Sequence, residues 1–349
     1  MRPGGGASGP RAEIPGAGIL RAARGGRSAR RAALAAGLLL AAALLAGPRA
    51  RVSERWTEPR LGPDLDADLA AREAAVPDLR AGEAGSVLWA GSPGERTPLA
   101  LAYLHGFSAD RHEVEPLVSG LAAELGANAY FARLSGHGAT PEALGRATAE
   151  DWLDDVAEAV AVGGRIGERV VLVGTSTGGT LALWAAGREE AAGRVAALVL
   201  ISPNLGVADP AARLLLWPWG GLLARLAEGP ERCFEPVSAQ QARHWTTCYP
   251  TSALLPMMAL VDLVRGAPPG SVRVPVLVFR SPDDRVVDAM SSARALERLV
   301  AGRLEVVEIA DAGDPQAHVL AGDILSPGTT ERVQAEIASF LRSLAPAPE

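Results

Sequence analysis

Lysine is absent from the 349-residue chain: all 34 basic residues are arginine. A Schiff-base lysine, a Ser-Lys dyad and a phosphate-loop lysine are therefore excluded. Only two cysteines occur, Cys233 and Cys248, with no CxxC pair and no His/Cys clustering in the sequence to suggest zinc. Two cysteines are too few for a disulfide scaffold, and one bridge is open to them if the domain lies outside the cytoplasm. Aromatics make up 4% of the residues, and the apolar 48% rests on Ala, Leu and Val. The formal net charge is −6, and no basic stretch stands out beyond the N-terminal segment. Nucleic acid, which favours a clustered Lys/Arg face, is thus not an expected partner.

The N-terminus reads as separate from the domain. Residues 1–31 carry seven arginines and one acid, Glu13, and Ala32 to Pro48 then runs without a charge. A basic flank before an apolar run is the pattern of an export signal or signal-anchor, with the basic side kept in the cytoplasm. Seventeen helical residues span roughly 26 Å, slightly short of a ~30 Å hydrocarbon core. The expectation is a basic leader and signal-peptide or signal-anchor over residues 1–48, with a candidate membrane contact through residues 32–48. The domain is then expected in the periplasm or cell envelope; a misassigned start or disordered leader would leave it in the cytoplasm. Residues 49–85, rich in Pro, Asp and Arg, read as a linker.

From residue 86 to 349 the chain alternates apolar runs with helical patterns. Strands are expected at 99–105, 127–134, 169–175, 195–202, 274–280 and 303–310, and helices at 113–125, 149–162, 177–189, 288–300 and 329–344. Continuous apolar runs suit strands buried on both faces, so the pattern predicts a doubly wound, mostly parallel α/β sheet. Sites in such folds lie at the carboxyl ends of the strands. Between strands near 203 and 273 no clear strand appears, and an insertion of that length, about 204–272, reads as a helical lid.

Gly174-Thr175-Ser176-Thr177-Gly178-Gly179 falls where strand 169–175 meets helix 177–189. On such a turn a serine hydroxyl is pushed out above the sheet, and flanking glycines avoid side-chain clash. The strand-turn-helix setting, more than the pentapeptide, makes Ser176 the candidate nucleophile. A serine needs a base. Of the five histidines only His318 follows the last strand, where this architecture carries its base. A carboxylate must orient the imidazole, and strand 274–280 ends in Asp283-Asp284-Arg285-Val286-Val287. Asp284 is favoured because the valines two and three residues on can pack as the next helix begins; Asp283 stays the alternative. The order Ser, Asp, His makes one specific signal of three weak ones. The two oxyanion donors expected are the backbone N–H groups of Thr177 and of Phe107, where Gly106 lets the chain turn after strand 99–105. His105 and Gly106 are further expected at the substrate, with His105 more a loop residue than a second base. Trp217 and Trp219 in the insertion read as an acyl-pocket wall, a membrane-facing flap or plain packing. If the domain is exported, Cys233 and Cys248 would stiffen the insertion by bridging.

Six stretches carry a family resemblance: Leu104-His105-Gly106-Phe107-Ser108, Arg133-Leu134-Ser135-Gly136-His137-Gly138, Asp151-Trp152, the Ser176 turn, Asp284-Arg285-Val286-Val287 and His318-Val319. Over roughly residues 86–345 the chain resembles bacterial carboxylesterases and monoacylglycerol lipases of the α/β-hydrolase superfamily. The resemblance implies hydrolysis of small-molecule or lipid esters with short to medium acyl chains, with no metal or organic cofactor required. It departs from those families at Thr177, where they usually carry Met, which leaves the backbone donor but alters the pocket wall. Thioester or amide hydrolysis and acyl transfer use the same triad and stay open. A non-catalytic binding protein on this fold would be expected to lack a triad member, and none is missing. The oligomeric state is not readable from the sequence.

Overall fold

The computed structural model describes residues 30–344 apart from 39, 40 and 44. The chain divides into two compact units, Met1–Pro48 and Arg49–Glu349. In the first, residues 30–38 and 41–43 are helical. Among the described residues no helix is long and apolar enough to cross a membrane. Most of the expected basic flank, residues 1–29, lies outside the described residues.

The second unit is built on seven strands: β1 (Ser86–Leu88), β2 (Thr97–Leu104), β3 (Asn128–Phe131), β4 (Gly167–Thr175), β5 (Val195–Ile201), β8 (Val276–Arg280) and β9 (Leu304–Glu308). Their spatial order is β1-β3-β2-β4-β5-β8-β9. Only β1, at the edge, runs antiparallel to its neighbour; the other pairs are parallel. The physical basis is a period of two with both faces buried. On β2, Ala100, Ala102 and Leu104 enter one core while Leu101 and Tyr103 enter the other. On β4, Val170 and Leu172 oppose Val171 and Val173 in the same way. Helices Glu115–Leu125 and Thr330–Ser343 cover the face of Leu101 and Tyr103. Helices Ala149–Ile166, Thr177–Ala186, Leu254–Gly266 and Ala289–Leu299 cover the opposite face. All six strands and five helices expected between 99 and 344 are present to within a few residues. Strand β1 leaves too short a pattern to read.

The insertion departs from the sequence reading in two ways. It holds two three-residue strands, β6 (Glu231–Cys233) and β7 (Cys248–Pro250), paired antiparallel with Cys233 opposite Cys248. These cysteines form a disulfide, and no free cysteine remains. Strands this short have no periodicity, and the residues of β6 are all exposed. In addition, helix Leu254–Gly266 is core: Met257, Met258, Leu260, Val261 and Val264 are buried against the sheet. The freely exposed part of the insertion is thus its first half, where Leu222, Leu223 and Leu226 of helix Gly220–Glu228 face solvent.

Residues 49–85 are not a linker. They contain helix Leu65–Ala74, whose Leu65 and Leu69 are buried in the core. Trp56 stacks on Trp184 at 5.7 Å between ring centroids, and Glu54 accepts a hydrogen bond from the Trp184 indole at 2.9 Å. Further pairs join Arg72 to Glu158 at 2.9 Å and Glu73 to Arg133 at 2.6 Å. The charge-rich composition that suggests a linker reflects partners distant in sequence. These pairs are partly buried, and they add to the anchoring by Trp56, Leu65 and Leu69, whose apolar burial is the largest single contribution. A burial of this kind contributes ~1.5–3 kcal/mol per fully buried side chain. A chain beginning at residue 86 should therefore be less stable in urea than one beginning at residue 49, by ~3 kcal/mol or more. Equal midpoints and slopes for the two would contradict this packing.

Candidate active site

The backbone at Ser176 is set by contacts only glycine permits. Ser176 sits between β4 and helix Thr177–Ala186 with φ 51° and ψ −111°, a conformation costly for a residue with a Cβ. A Cβ at Gly178 would come within 2.0 Å of the Leu104 carbonyl oxygen, and one at Gly174 within 2.6 Å of Gly178 and Gly179. The helix start therefore presses directly against the end of β2. The turn is fastened to the end of β5: Ser176 N–H donates to Ile201 O at 2.9 Å, and Asn204 N–H donates to Ser176 O at 3.0 Å. Thr180 Oγ1 donates to Asn204 O at 2.6 Å. The positive end of the helix lies at Ser176, where developing negative charge is favoured.

Asp284 follows β8 and His318 follows β9, so both lie at the same carboxyl edge of the sheet as Ser176. His318 Nδ1 is 2.8 Å from Asp284 Oδ2. The other carboxylate oxygen accepts the backbone N–H groups of Val286 and Val287 at 2.8 and 2.9 Å, which fixes the carboxylate plane. Asp283 is exposed and, among the described residues, bonds only through its backbone N–H, to Ser281 Oγ; the structure brings Asp284, not Asp283, to the imidazole. Burial works against charge on His318, but the hydrogen bond and charge of Asp284, helped by Glu113 and Asp314, outweigh it and hold its pKa above the ordinary value.

Asp314 is the residue the sequence reading missed. Its Oδ2 accepts the backbone N–H groups of His318 and Val319 at 3.0 and 2.9 Å. Its Oδ1 accepts that of Gln316 at 3.0 Å. This buried carboxylate thus sets the loop that presents the imidazole, across Ala317 at φ 51°. An acid four residues before the histidine is the only local signal.

The loop after β2 is stapled from below. Gly106 N–H donates to Glu113 Oε2 at 2.8 Å, as does Tyr103 OH at 2.9 Å. Burial pushes the Glu113 carboxyl up to about 7, against these two hydrogen bonds. Ser108 N–H donates to His137 Nε2 at 3.1 Å. Phe107 lies between them, its ring edge-on to Trp152 and Tyr249. Neither the Phe107 nor the Thr177 backbone N–H donates a hydrogen bond among the described residues, so both are available to a ligand oxygen. The Thr177 hydroxyl is buried and also without a partner.

Of the residues expected at the substrate, His105 is buried and the two tryptophans are exposed. The His105 ring is fully buried: Nε2 accepts Leu134 N–H at 3.0 Å, and Nδ1 lies 2.9 Å from Gly106 O. Burial lowers its pKa to about 4. With both nitrogens committed to backbone, it fastens loops, as a loop residue rather than a second base. Trp217 and Trp219 are 59% and 38% exposed on the surface of the insertion, so they are not core packing; of the three readings, the membrane-facing flap stays open.

A strained serine at a strand-to-helix turn, with an Asp–His pair at the same edge of a mostly parallel sheet, defines an α/β-hydrolase of the serine hydrolase class. A profile described as serine aminopeptidase, S33 (Hydrolase_4) matches residues 97–312, and the chain belongs to that family. It is 26% identical over 238 residues to a thermostable monoacylglycerol lipase of Bacillus sp. (strain H-257), covering 68% of this chain and 90% of that protein. Among solved structures, it is similar to a chain from work on the metagenome-derived lipolytic enzymes LipS and LipT (TM-score 0.58, 20% identity, 77% and 99% coverage). It is also similar to a soluble variant of Saccharomyces cerevisiae monoglyceride lipase (TM-score 0.58, 13% identity, 76% and 92% coverage).

Asp314→Ala strips three backbone N–H groups of their acceptor. It should cost about 2–3 kcal/mol in urea unfolding, and an unchanged midpoint would show that the loop is held by other contacts.

Proposed function

We propose that the protein hydrolyses carboxylic esters with short to medium acyl chains, monoacylglycerols among them, through an acyl-enzyme on Ser176. The observation that carries this reading is the Asp284–His318 pair at 2.8 Å, at the same sheet edge as a serine held at φ 51°. The name of the Bacillus relative supports the ester class. Ser176 Oγ attacks the ester carbonyl while His318 takes its proton; Asp284 keeps the imidazole in the required tautomer and stabilises its charge. The backbone N–H groups of Phe107 and Thr177 hold the oxyanion. His318 returns the proton to the leaving alcohol, and water, deprotonated by His318, then cleaves the acyl-enzyme to acid and free Ser176. The family's description as aminopeptidase favours a second reading, amide hydrolysis on the same groups. The proposed site lies in the unit 49–349. The disulfide, with the basic-then-apolar N-terminus, supports action in an oxidising compartment.

A fluorophosphonate probe should label the protein and not its Ser176→Ala variant; no labelling of the parent sinks the reading. Ser176→Ala should lower kcat on p-nitrophenyl esters roughly 10⁴-fold or more. Faster turnover of aminoacyl p-nitroanilides than of monoacylglycerols and p-nitrophenyl esters would select the amide reading.

The base must be neutral to accept a proton, so kcat/KM should rise with pH through the His318 pKa. That limb is expected above the ordinary imidazole value near 6.5. Asp284→Asn removes the main group that raises the pKa and leaves burial opposed only by the weaker pull of Glu113 and Asp314. The limb should then move to lower pH while kcat falls ~10⁴-fold; an unmoved limb in the variant would assign it to another group.

A further inference from the structure

Away from Ser176, four side chains from three parts of the chain converge on one point: Glu83 before β1, Asp110 and His112 in the loop after β2, and His244 at the end of helix Ala239–His244 in the insertion. One donor atom from each lies within 4.8 Å of the others. His112 Nδ1 is 3.0 Å from Asp110 Oδ1 and 3.6 Å from Glu83 Oε2. His244 Nδ1 is 3.1 Å from Asp110 Oδ2 and 3.3 Å from Glu83 Oε1. Four donors held 2.0–2.1 Å from a tetrahedral zinc ion are spaced roughly 3.3 Å apart; here each carboxylate turns a different oxygen to each imidazole, and one donor from each residue would close in from within 4.8 Å on binding.

Protons fit the arrangement less well. Each Nδ1 faces two carboxylates, and one N–H serves only one of them. Glu83 is 2% exposed and its Oε2 has no hydrogen-bond partner, a costly state for a buried carboxylate. Arg80 Nη2 comes no nearer to Asp110 than 3.9 Å, beyond hydrogen-bond reach, and is itself buried and unpartnered. The far nitrogen of His112, Nε2, lies 3.3 Å from Glu115 Oε2. A carboxylate behind the imidazole is the usual support of a metal-bound histidine.

We propose that Glu83, Asp110, His112 and His244 bind a divalent transition-metal ion, zinc by preference, which clamps the insertion and the segment before β1 onto the loop that carries the Phe107 N–H. Two imidazoles select zinc over calcium or magnesium, which take all-oxygen sites. The role is structural: the ion touches neither Ser176 nor His318, and no step of ester cleavage passes through it. The clamp reinforces a protein contact already there, in which Thr246 N–H, two residues beyond His244, donates to Ser108 O at 2.7 Å.

The test is titration of the chelator-treated full-length protein with Zn²⁺, Ca²⁺ and Mg²⁺, read by calorimetry and by thermal melting. One Zn²⁺ per chain should bind and raise Tm, with Ca²⁺ and Mg²⁺ at least tenfold weaker. His112→Gln and His244→Gln should each weaken Zn²⁺ roughly tenfold or more while melting, metal-free, close to the metal-free parent. No stoichiometric Zn²⁺ binding, or unchanged affinity in the double variant, overturns the proposal. Should a variant fail to fold, the Co²⁺-loaded parent decides: visible bands of a four-coordinate nitrogen–oxygen site support it, and their absence overturns it. Each readout is independent of esterase activity, so this proposal and the ester reading fail separately.

Discussion

The approach of Gly178 to the Leu104 carbonyl is the contact on which the rest of the site depends. No side chain fits there, since even a Cβ would lie 2.0 Å from that oxygen. The helix Thr177–Ala186 can therefore start only where β2 ends, and the turn before it is forced into the left-handed region at Ser176. Strain at that serine is sustained because the surrounding backbone is over-determined, through Ile201, Asn204 and Thr180. The same contact places the Thr177 N–H beside the loop that carries Phe107.

Around that fixed point, the polar groups form buried supports, each committed to backbone. Glu113 holds Gly106, His137 holds Ser108, His105 holds Leu134, and Asp314 holds His318 and Val319. Every one of these side chains is at least nine-tenths buried. An unpaired polar group in such surroundings is expensive, so each bond is strongly favoured and the loops it fastens are rigid. Rigidity suits oxyanion stabilisation, where donors must be in place before charge develops.

The insertion and residues 49–85 complete the shell by different means. The first is braced by the Cys233–Cys248 bridge and by a helix that belongs to the core. The second is held by Trp56 on Trp184 and by Leu65 and Leu69. Both meet the loop after β2 at the Glu83–Asp110–His112–His244 cluster, so the candidate metal site joins the elements the sheet does not itself organise.

The sequence by itself determined the sheet, because a strand buried on both faces must be a continuous apolar run and a covering helix must be amphipathic. It also determined the Ser176 turn, since Gly174, Ser176 and Gly178 are local and their spacing is dictated by sterics at a single bend. The choice of Asp284 over Asp283 was half legible, resting on the valines that follow. Tertiary structure decided what depends on groups distant along the chain. Composition cannot tell a solvated charge from one with a partner, so residues 49–85 read as a linker until Glu54, Arg72 and Glu73 met Trp184, Glu158 and Arg133. Trp217 and Trp219 read as pocket wall, membrane-facing flap or packing, and only the fold shows that they are exposed. Four metal-ligating side chains spread from residue 83 to residue 244 have no spacing to recognise, because only folding brings their donor atoms within 4.8 Å.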